Sequence, residues 1–276
     1  MKKFFVLAMA AVAVMNFSSC TNEIDMFDPV DRGKEVGYIN INAMTENAIV
    51  TRATGTPVSD ISTWIATITK VGDTDPGVKY DKAIGTDQNG DLSKTGFAAG
   101  NYTVAVKSHS SITAACASDN VFGAAYYEGS TPSGDVPVVA ASNTPVAIEC
   151  GQPKNTEFIV DGSLFAGNAL SVSVSSPCTL SFTGWTTSGK AFTKSAAYFQ
   201  PSTIVTYSIT YSINGHDNVT ISGRTVTMGA AGTSKKLAIK SNDNGTISLS
   251  IYTLGFDTPE ETPITIDAAT GNEVNS

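Results

Sequence analysis

The sequence predicts an all-β fold of two tandem antiparallel β-sandwiches, and three observations carry that expectation. Apolar and polar residues alternate strictly along several short segments, Asn-Gly dipeptides fall between them, and no segment carries a sustained helical stripe. The clearest strand is Ile204 to Ile213. Val205, Tyr207, Ile209, Tyr211 and Ile213 share one face, and Thr206, Ser208, Thr210 and Ser212 share the other. Period-two alternation of this kind marks a strand with one face in a core and one in water. Tyr102/Val104/Val106 and Ile247/Leu249/Ile251 repeat it. Shorter versions occur at Ile39/Ile41/Ala43, Val146/Ile148/Cys150, Leu170/Val172/Val174 and Leu237/Ile239. Asn89-Gly90, Asn214-Gly215 and Asn244-Gly245 suit tight hairpins, because type I′ turns need positive φ at both central residues. The Ala-rich stretch Ile112 to Ala125 has room for one short helical turn.

The chain opens on a positive Met1-Lys2-Lys3, followed by an apolar run from Phe4 to Met15. That run is shorter than the roughly 20 residues a membrane-spanning helix needs. Its length and flanks are those of a signal peptide. Phe17-Ser18-Ser19-Cys20 resembles the bacterial lipobox, although the usual pattern has Leu where Phe17 stands. Residues 1–19 therefore read as a lipoprotein signal peptide and Cys20 as the residue that receives the lipid. A plain secretory signal is the alternative. Acyl chains contribute about 0.8 kcal/mol per buried CH₂, so a multiply acylated cysteine anchors a protein durably without spanning the membrane. Thr21 to Glu35 is polar and acidic without periodicity, so residues 20–35 are expected to form a lipidated, flexible tether.

Length sets the domain count. About 240 residues follow the tether, more than the roughly 100 of a single sandwich. The turn-rich Gly151-Gln152-Pro153-Lys154 is the natural break. It gives an N-terminal sandwich over 36–151 and a C-terminal one over 152–276, with a single large sandwich as the alternative. A second break, Asp257 to Pro263, precedes a last strand-like segment, Ile264-Thr265-Ile266.

Composition excludes some functions. Without residues 1–19 the chain keeps 15 basic against 25 acidic residues, a balance of −10. Nucleic-acid affinity comes largely from Lys and Arg neutralising phosphates, so nucleic acid is not an expected partner. Three cysteines follow Cys20: Cys116, Cys150 and Cys178. Outside the cytoplasm two of them could pair and one would stay free. None has CxxC spacing, and free cysteine is among the most buried residue types, so small core residues are the simpler reading.

Several local patterns occur in a telling order. Gly37-Tyr38-Ile39-Asn40-Ile41 follows the tether, then Val50-Thr51-Arg52-Ala53, Phe97 to Val104, and Ala124-Ala125-Tyr126-Tyr127-Glu128-Gly129. This succession resembles the fimbrillin-like cell-surface lipoproteins of Bacteroidetes, more clearly in the first half of the chain than in the second. The resemblance implies two transthyretin-like sandwiches, lipid-anchored in the outer membrane and exposed at the cell surface. It implies a structural or adhesive role as a fimbrial (pilus) subunit. It also implies cutting after an arginine near the first strand and polymerisation by strand exchange. Arg52, followed by Ala53, matches that position here. Cutting there would free the segment that presents Ile39 and Ile41, leaving an edge and apolar pockets for another chain's strand. Ile264, Thr265 and Ile266 are the candidate donor strand, and other fimbrial subunits or host ligands are the implied partners. The alternative is that Arg52 is an ordinary loop residue and the first strand never leaves.

Side chains suited to catalysis are sparse. His109 and His216 lie in no recognisable nucleophile or metal motif, and His216-Asp217 sits among turn residues. No Ser-centred elbow, HExxH or phosphate-binding Gly loop is present, so no enzyme activity and no cofactor are expected. Asp87-Gln88-Asn89-Gly90-Asp91 begins like a calcium loop but fails at Leu92 and Ala98, so no metal is expected. Trp185, Tyr126 and Tyr127 are candidate glycan contacts. They support a second reading, a glycan-binding lipoprotein of a polysaccharide-capture system. Trp185 stands in the turn-like Thr183-Gly184-Trp185-Thr186, where exposure is expected, whereas Trp64 alternates with Ala66 and Ile68 as a core residue would.

Overall fold

Every segment with period-two alternation in the sequence forms a strand. The structure, a computed structural model, describes residues 36–45, 56–72, 75–85, 92–254, 259–260 and 263–274. In the first half run β1 (Val36–Thr45), β2 (Thr56–Pro57), β3 (Ile65–Val71), β4 (Gly77–Ala83), β5 (Phe97–Ala98), β6 (Gly100–Lys107), β7 (Glu128–Ser130), β8 (Val136–Val138) and β9 (Asn143–Gly151). The second half holds β10 (Thr156–Leu164), β11 (Ala169–Ser176), β12 (Leu180–Phe182), β13 (Ala196–Phe199), β14 (Ile204–Ile213), β15 (His216–Thr227), β16 (Ser234–Ser241), β17 (Thr246–Thr253) and β18 (Ile264–Asp267). One helical turn, α1 (Ile112–Ala115), opens the Ala-rich stretch, with the Ser111 hydroxyl accepting from Ala114 N–H as its N-cap.

Four sheets result. β1 lies beside β9 and meets β5 and β2 at its ends, opposite a sheet ordered β4-β3-β6 whose β6 also pairs with β7 and β8. The second half pairs β13-β10-β16-β17-β18 with β12-β11-β14-β15. The ladders are antiparallel except for one parallel pair in each half, β1 with β9 and β10 with β16. Both parallel pairs close a long connection, since parallel neighbours need a crossover where antiparallel ones need only a hairpin.

Alternation becomes burial. Val205, Tyr207, Ile209, Tyr211 and Ile213 all point into one apolar cluster, which draws its side chains from residues 158–268. A second cluster draws on residues 39–150 and includes Ile39, Ile41 and Ala43 from β1 with Val146, Ile148 and Cys150 from β9. Trp64, Ala66 and Ile68 lie in it, as their spacing predicted. Each cluster fills the space between two sheets, the arrangement of a sandwich. Asn214-Gly215 forms the tight turn its sequence predicted, with φ of 51° and 82° between β14 and β15. Asn244-Gly245 also closes a hairpin, but only Gly245 has positive φ there. Asn89-Gly90, and with it the segment Asp87 to Asp91, lies outside the described residues.

Residues 34–276 form one compact unit, because the two halves are not joined by the break at 151–154 alone. The connection between β6 and β7 leaves its own sandwich and hydrogen-bonds to the other. Ala117 N–H donates to Tyr198 O at 2.6 Å, Tyr198 N–H donates to Phe122 O at 2.9 Å, and Asn120 N–H donates to Thr179 O at 2.8 Å. The Asp119 carboxylate accepts from Thr179 N–H at 2.7 Å. Phe122 packs edge-on to Phe182, with centroids 5.0 Å apart. Among the described residues no helix is long and apolar enough to cross a membrane.

Candidate functional site

β1 is placed in the fold in an unusual way. Its Ile39, Ile41 and Ala43 are buried in the first core, and burying a side chain of the Ile class is worth about 1.5–3 kcal/mol. Its ladder runs parallel to β9 from Tyr38↔Asn143 to Met44↔Glu149, with an irregularity before Thr45↔Gly151. Elsewhere β1 pairs only at its two ends, through Val36 and Gly37 with β5 and through Met44 and Thr45 with β2. Between those ends β9 is its one strand neighbour among the described residues. Gly37 sits so tightly there that a Cβ would lie 2.3 Å from Val139 O. β1 is therefore anchored by its apolar face and by one long edge.

In sequence, Arg52 and Ala53 fall between β1 and β2, and both lie outside the described residues, as does Cys20. A cut at that position leaves β1 attached to the rest of the protein by packing and hydrogen bonds alone.

Ile264, Thr265 and Ile266 form the start of β18, the edge strand of its sheet. β18 pairs antiparallel with β17 through four residues, Thr246↔Asp267 to Leu249↔Ile264. Ile266 is 0% exposed and Ala268 is buried, while Ile264 is half-buried against the cluster of residues 158–268. The chain then folds back over the strand. Val274 N–H donates to Thr265 O at 2.8 Å, and Arg224 Nη2 meets Glu273 Oε2 at 3.1 Å. That exposed ion pair is a weak latch, since such pairs typically contribute about 0–1 kcal/mol. Asp267 ties the turn together by accepting from Ala269 N–H, Thr270 N–H and the Thr270 hydroxyl. The Thr270 hydroxyl and these amides hold its carboxyl below the ordinary carboxylate range.

The two strands share a pattern. β1 buries Ile39-x-Ile41-x-Ala43, and the chain end carries Ile264-x-Ile266-x-Ala268 with the same residue types at the same spacing. Periodicity made both segments visible as strands, but only their burial shows that the matching side chains all serve as core contacts.

The aromatic candidates do not form an exposed platform. Trp185 is 8% exposed, which overturns the expectation drawn from its turn-like neighbours. Its indole folds back to donate from Nε1 to Gly162 O at 3.3 Å and packs edge-on to Phe165. Gly162 makes room, since a Cβ there would lie 2.8 Å from that Nε1. Tyr126 is 4% exposed, and its hydroxyl donates to Glu128 Oε2 at 2.8 Å. Tyr127 stacks on Trp64, with centroids 6.1 Å apart and planes 8° from parallel. Stacking on a sugar needs an open ring face, and these rings are buried or packed on other rings.

The three cysteines are free thiols. Cys116 and Cys150 are buried and Cys178 is half-buried. Burial raises the pKa of each, that of Cys150 to about 11, so all three are held as neutral thiols. His109 Nδ1 lies 3.0 Å from the Ser108 hydroxyl, and His216 opens β15 at an exposed position.

No protein-family model matches the chain, and no curated protein sequence matches it. Among solved structures it is similar to a candidate cell adhesion protein from Bacteroides ovatus, with 10% identity and a TM-score of 0.43 over 79% of this chain and 96% of that one. It is similar to a fimbrial protein from the same species at 8% identity and a TM-score of 0.35. That match covers 75% of this chain and 49% of the other, so this chain spans about half its length. The fimbrial anchor protein Mfa2 from Porphyromonas gingivalis matches at 10% identity and a TM-score of 0.30, over 79% of this chain and 98% of that one.

Proposed function

We propose that the chain is a fimbrial-subunit-like lipoprotein of the cell surface, anchored through Cys20 and assembled by strand complementation. One observation carries this reading. The terminal Ile264-x-Ile266-x-Ala268 repeats the Ile39-x-Ile41-x-Ala43 that β1 buries, so one subunit's end has the side chains to fill another's first core.

The energetics favour a gated exchange. Removing β1 exposes Ile39 and Ile41 together, about 3–6 kcal/mol of apolar burial, and leaves the backbone groups of β9 unpaired. An intact chain therefore keeps its own strand. Cleavage at Arg52 makes that strand a separate piece, and a donor strand of matching apolar content then refills the first core, offset by the Ile266 and Ala268 burial that the donor gives up in its own sheet. The tether lies on the same side of the cut as β1, so exchange would also release the body of the protein from its lipid anchor.

Brief digestion with an arginine-specific protease, followed by intact mass and size-exclusion chromatography, tests this. The expected result is cleavage after Arg52, loss of the segment before Ala53 and growth of oligomers, none of which occurs with Arg52→Ala. A cleaved protein that keeps β1 and stays monomeric would sink strand complementation. Cys20→Ser is expected to move the protein from the membrane fraction to the soluble fraction, and retention in the membrane would remove Cys20 as the anchor.

A further inference from the structure

A cavity of about 390 Å³ opens where the outer face of the β3–β6–β7 sheet meets the segment joining the two sandwiches. Its volume is at the small end of the range for small-molecule sites. Ile65 and Ala105 give it an apolar floor, with the backbone of Val106 between them, and Thr67 and Ser130 add hydroxyls. Lys107, Lys154 and Glu128 supply its charges. Among the described residues neither lysine forms an ion pair. The Glu128 carboxylate accepts from the Tyr126 hydroxyl, and Thr67 Oγ1 donates to Asp81 Oδ1 at 2.8 Å.

The site is built before any ligand arrives. Lys154 belongs to the joining segment, yet its backbone N–H donates to Tyr126 O at 2.7 Å. The next residue, Asn155, is 1% exposed and spends its side-chain amide on the same stretch. It accepts from Tyr126 N–H at 3.0 Å and donates to Ala124 O at 2.8 Å. Asn155 O in turn accepts from Gly232 N–H in the second half at 3.0 Å. The base of Lys154 is thereby held beside Glu128, Gly129 and Ser130. Little backbone ordering is left to oppose binding.

We infer that this cavity binds an acidic sugar, with its carboxylate between the Lys107 and Lys154 ammonium groups. Two cations without ion-pair partners select an anion, and charge-assisted hydrogen bonds are the strong ones. Glu128 opposes a bare anion. It is matched only by a ligand that also brings hydroxyl donors. The apolar floor suits the C–H face of a sugar ring. The same chemistry is offered by a free sugar acid and by the acidic end of a glycan.

Isothermal titration of the full chain with glucuronate, glucose, acetate and a glucuronate-terminated oligosaccharide tests the assignment. Saturable binding of glucuronate at millimolar concentration is expected, with none for glucose or acetate. Lys154→Ala should weaken it about tenfold, the loss of one charge-assisted hydrogen bond, and Lys154→Arg should restore most of it. Tighter binding of the oligosaccharide than of glucuronate assigns the site to a glycan end, and weaker binding assigns it to the free acid. Lys154 is exposed, so an unchanged thermal midpoint will show that the variant is folded. No saturable glucuronate binding, equal binding of glucose or acetate, or a folded Lys154→Ala that binds as the parent does would overturn the inference.

Discussion

Asn155 holds the Tyr126 backbone in place across the boundary between the sandwiches, accepting its N–H at 3.0 Å while donating to Ala124 O at 2.8 Å. Replacing it by Ala leaves a buried donor and a part-buried acceptor without partners. An orphaned buried polar group typically costs about 1–3 kcal/mol. Asn155→Ala is therefore expected to lower the urea midpoint by a corresponding amount. It should also separate one cooperative transition into two, because the linkage between the cores is weakened. A single transition with an unchanged midpoint would show that the bonds of residues 117–122 to Thr179 and Tyr198 couple the halves without Asn155.

Gly37 meets Val139 O and Val138 Cγ1 at distances that leave no room for a side chain. Because the nearest atom is backbone, Gly37→Ala must move β1 or the segment before β9. Overpacking of this kind costs about 1–3 kcal/mol. The variant should unfold at lower urea and, after cleavage, lose β1 faster than the parent. Hydrogen exchange at residues 38–44 measures both effects, and unchanged protection there would show that the contact relaxes freely.

Alkaline pH should destabilise the fold in steps. Burial raises the Cys150 thiol from its ordinary 9.0 to about 11 and the Tyr211 phenol from 10.0 to about 12. Tyr126 also rises to about 12, through burial and then its hydrogen bond to Glu128. All three bind their protons more tightly folded than unfolded. Their stabilisation is complete below the unfolded values and is lost as pH rises through the folded ones. Urea midpoints should hold steady to about pH 9 and then fall, and Cys150→Ala should blunt the first part of that fall. A flat profile up to about pH 12 would contradict these shifts.

Much of this fold was legible because burial on one face writes a period of two into the sequence. Ile204 to Ile213 needed nothing more. Trp185 failed for a physical reason: its neighbours specify a turn, but the ring reaches back to the space that Gly162 leaves, and that contact is remote in sequence. The embrace of the second sandwich by residues 111–126 was hidden in the same way. Its bonds to Thr179 and Tyr198 are backbone bonds, which place no demand on residue type. Lys154 reads in sequence as an ordinary turn residue, and only the fold brings it and Asn155 to Tyr126 and Glu128. The strand-exchange elements were visible as segments, whereas their equivalence rests on which side chains are buried.

That equivalence makes a sharp prediction for a synthetic peptide covering residues 263–274. If the first core accepts Ile264-x-Ile266-x-Ala268 in place of β1, the peptide should bind protein cleaved at Arg52 and stop its oligomers from growing. It should not bind the intact chain, whose β1 still occupies the groove. The same peptide with Ile266→Asp should fail, because an isolated carboxylate in an apolar pocket is strongly disfavoured. Fluorescence anisotropy of labelled peptide separates the cases. Binding to intact and cleaved protein alike would place the peptide on an open sheet edge instead. Equal binding of the Ile266→Asp peptide would mean that backbone pairing alone holds it and that the matching apolar pattern has no part in assembly.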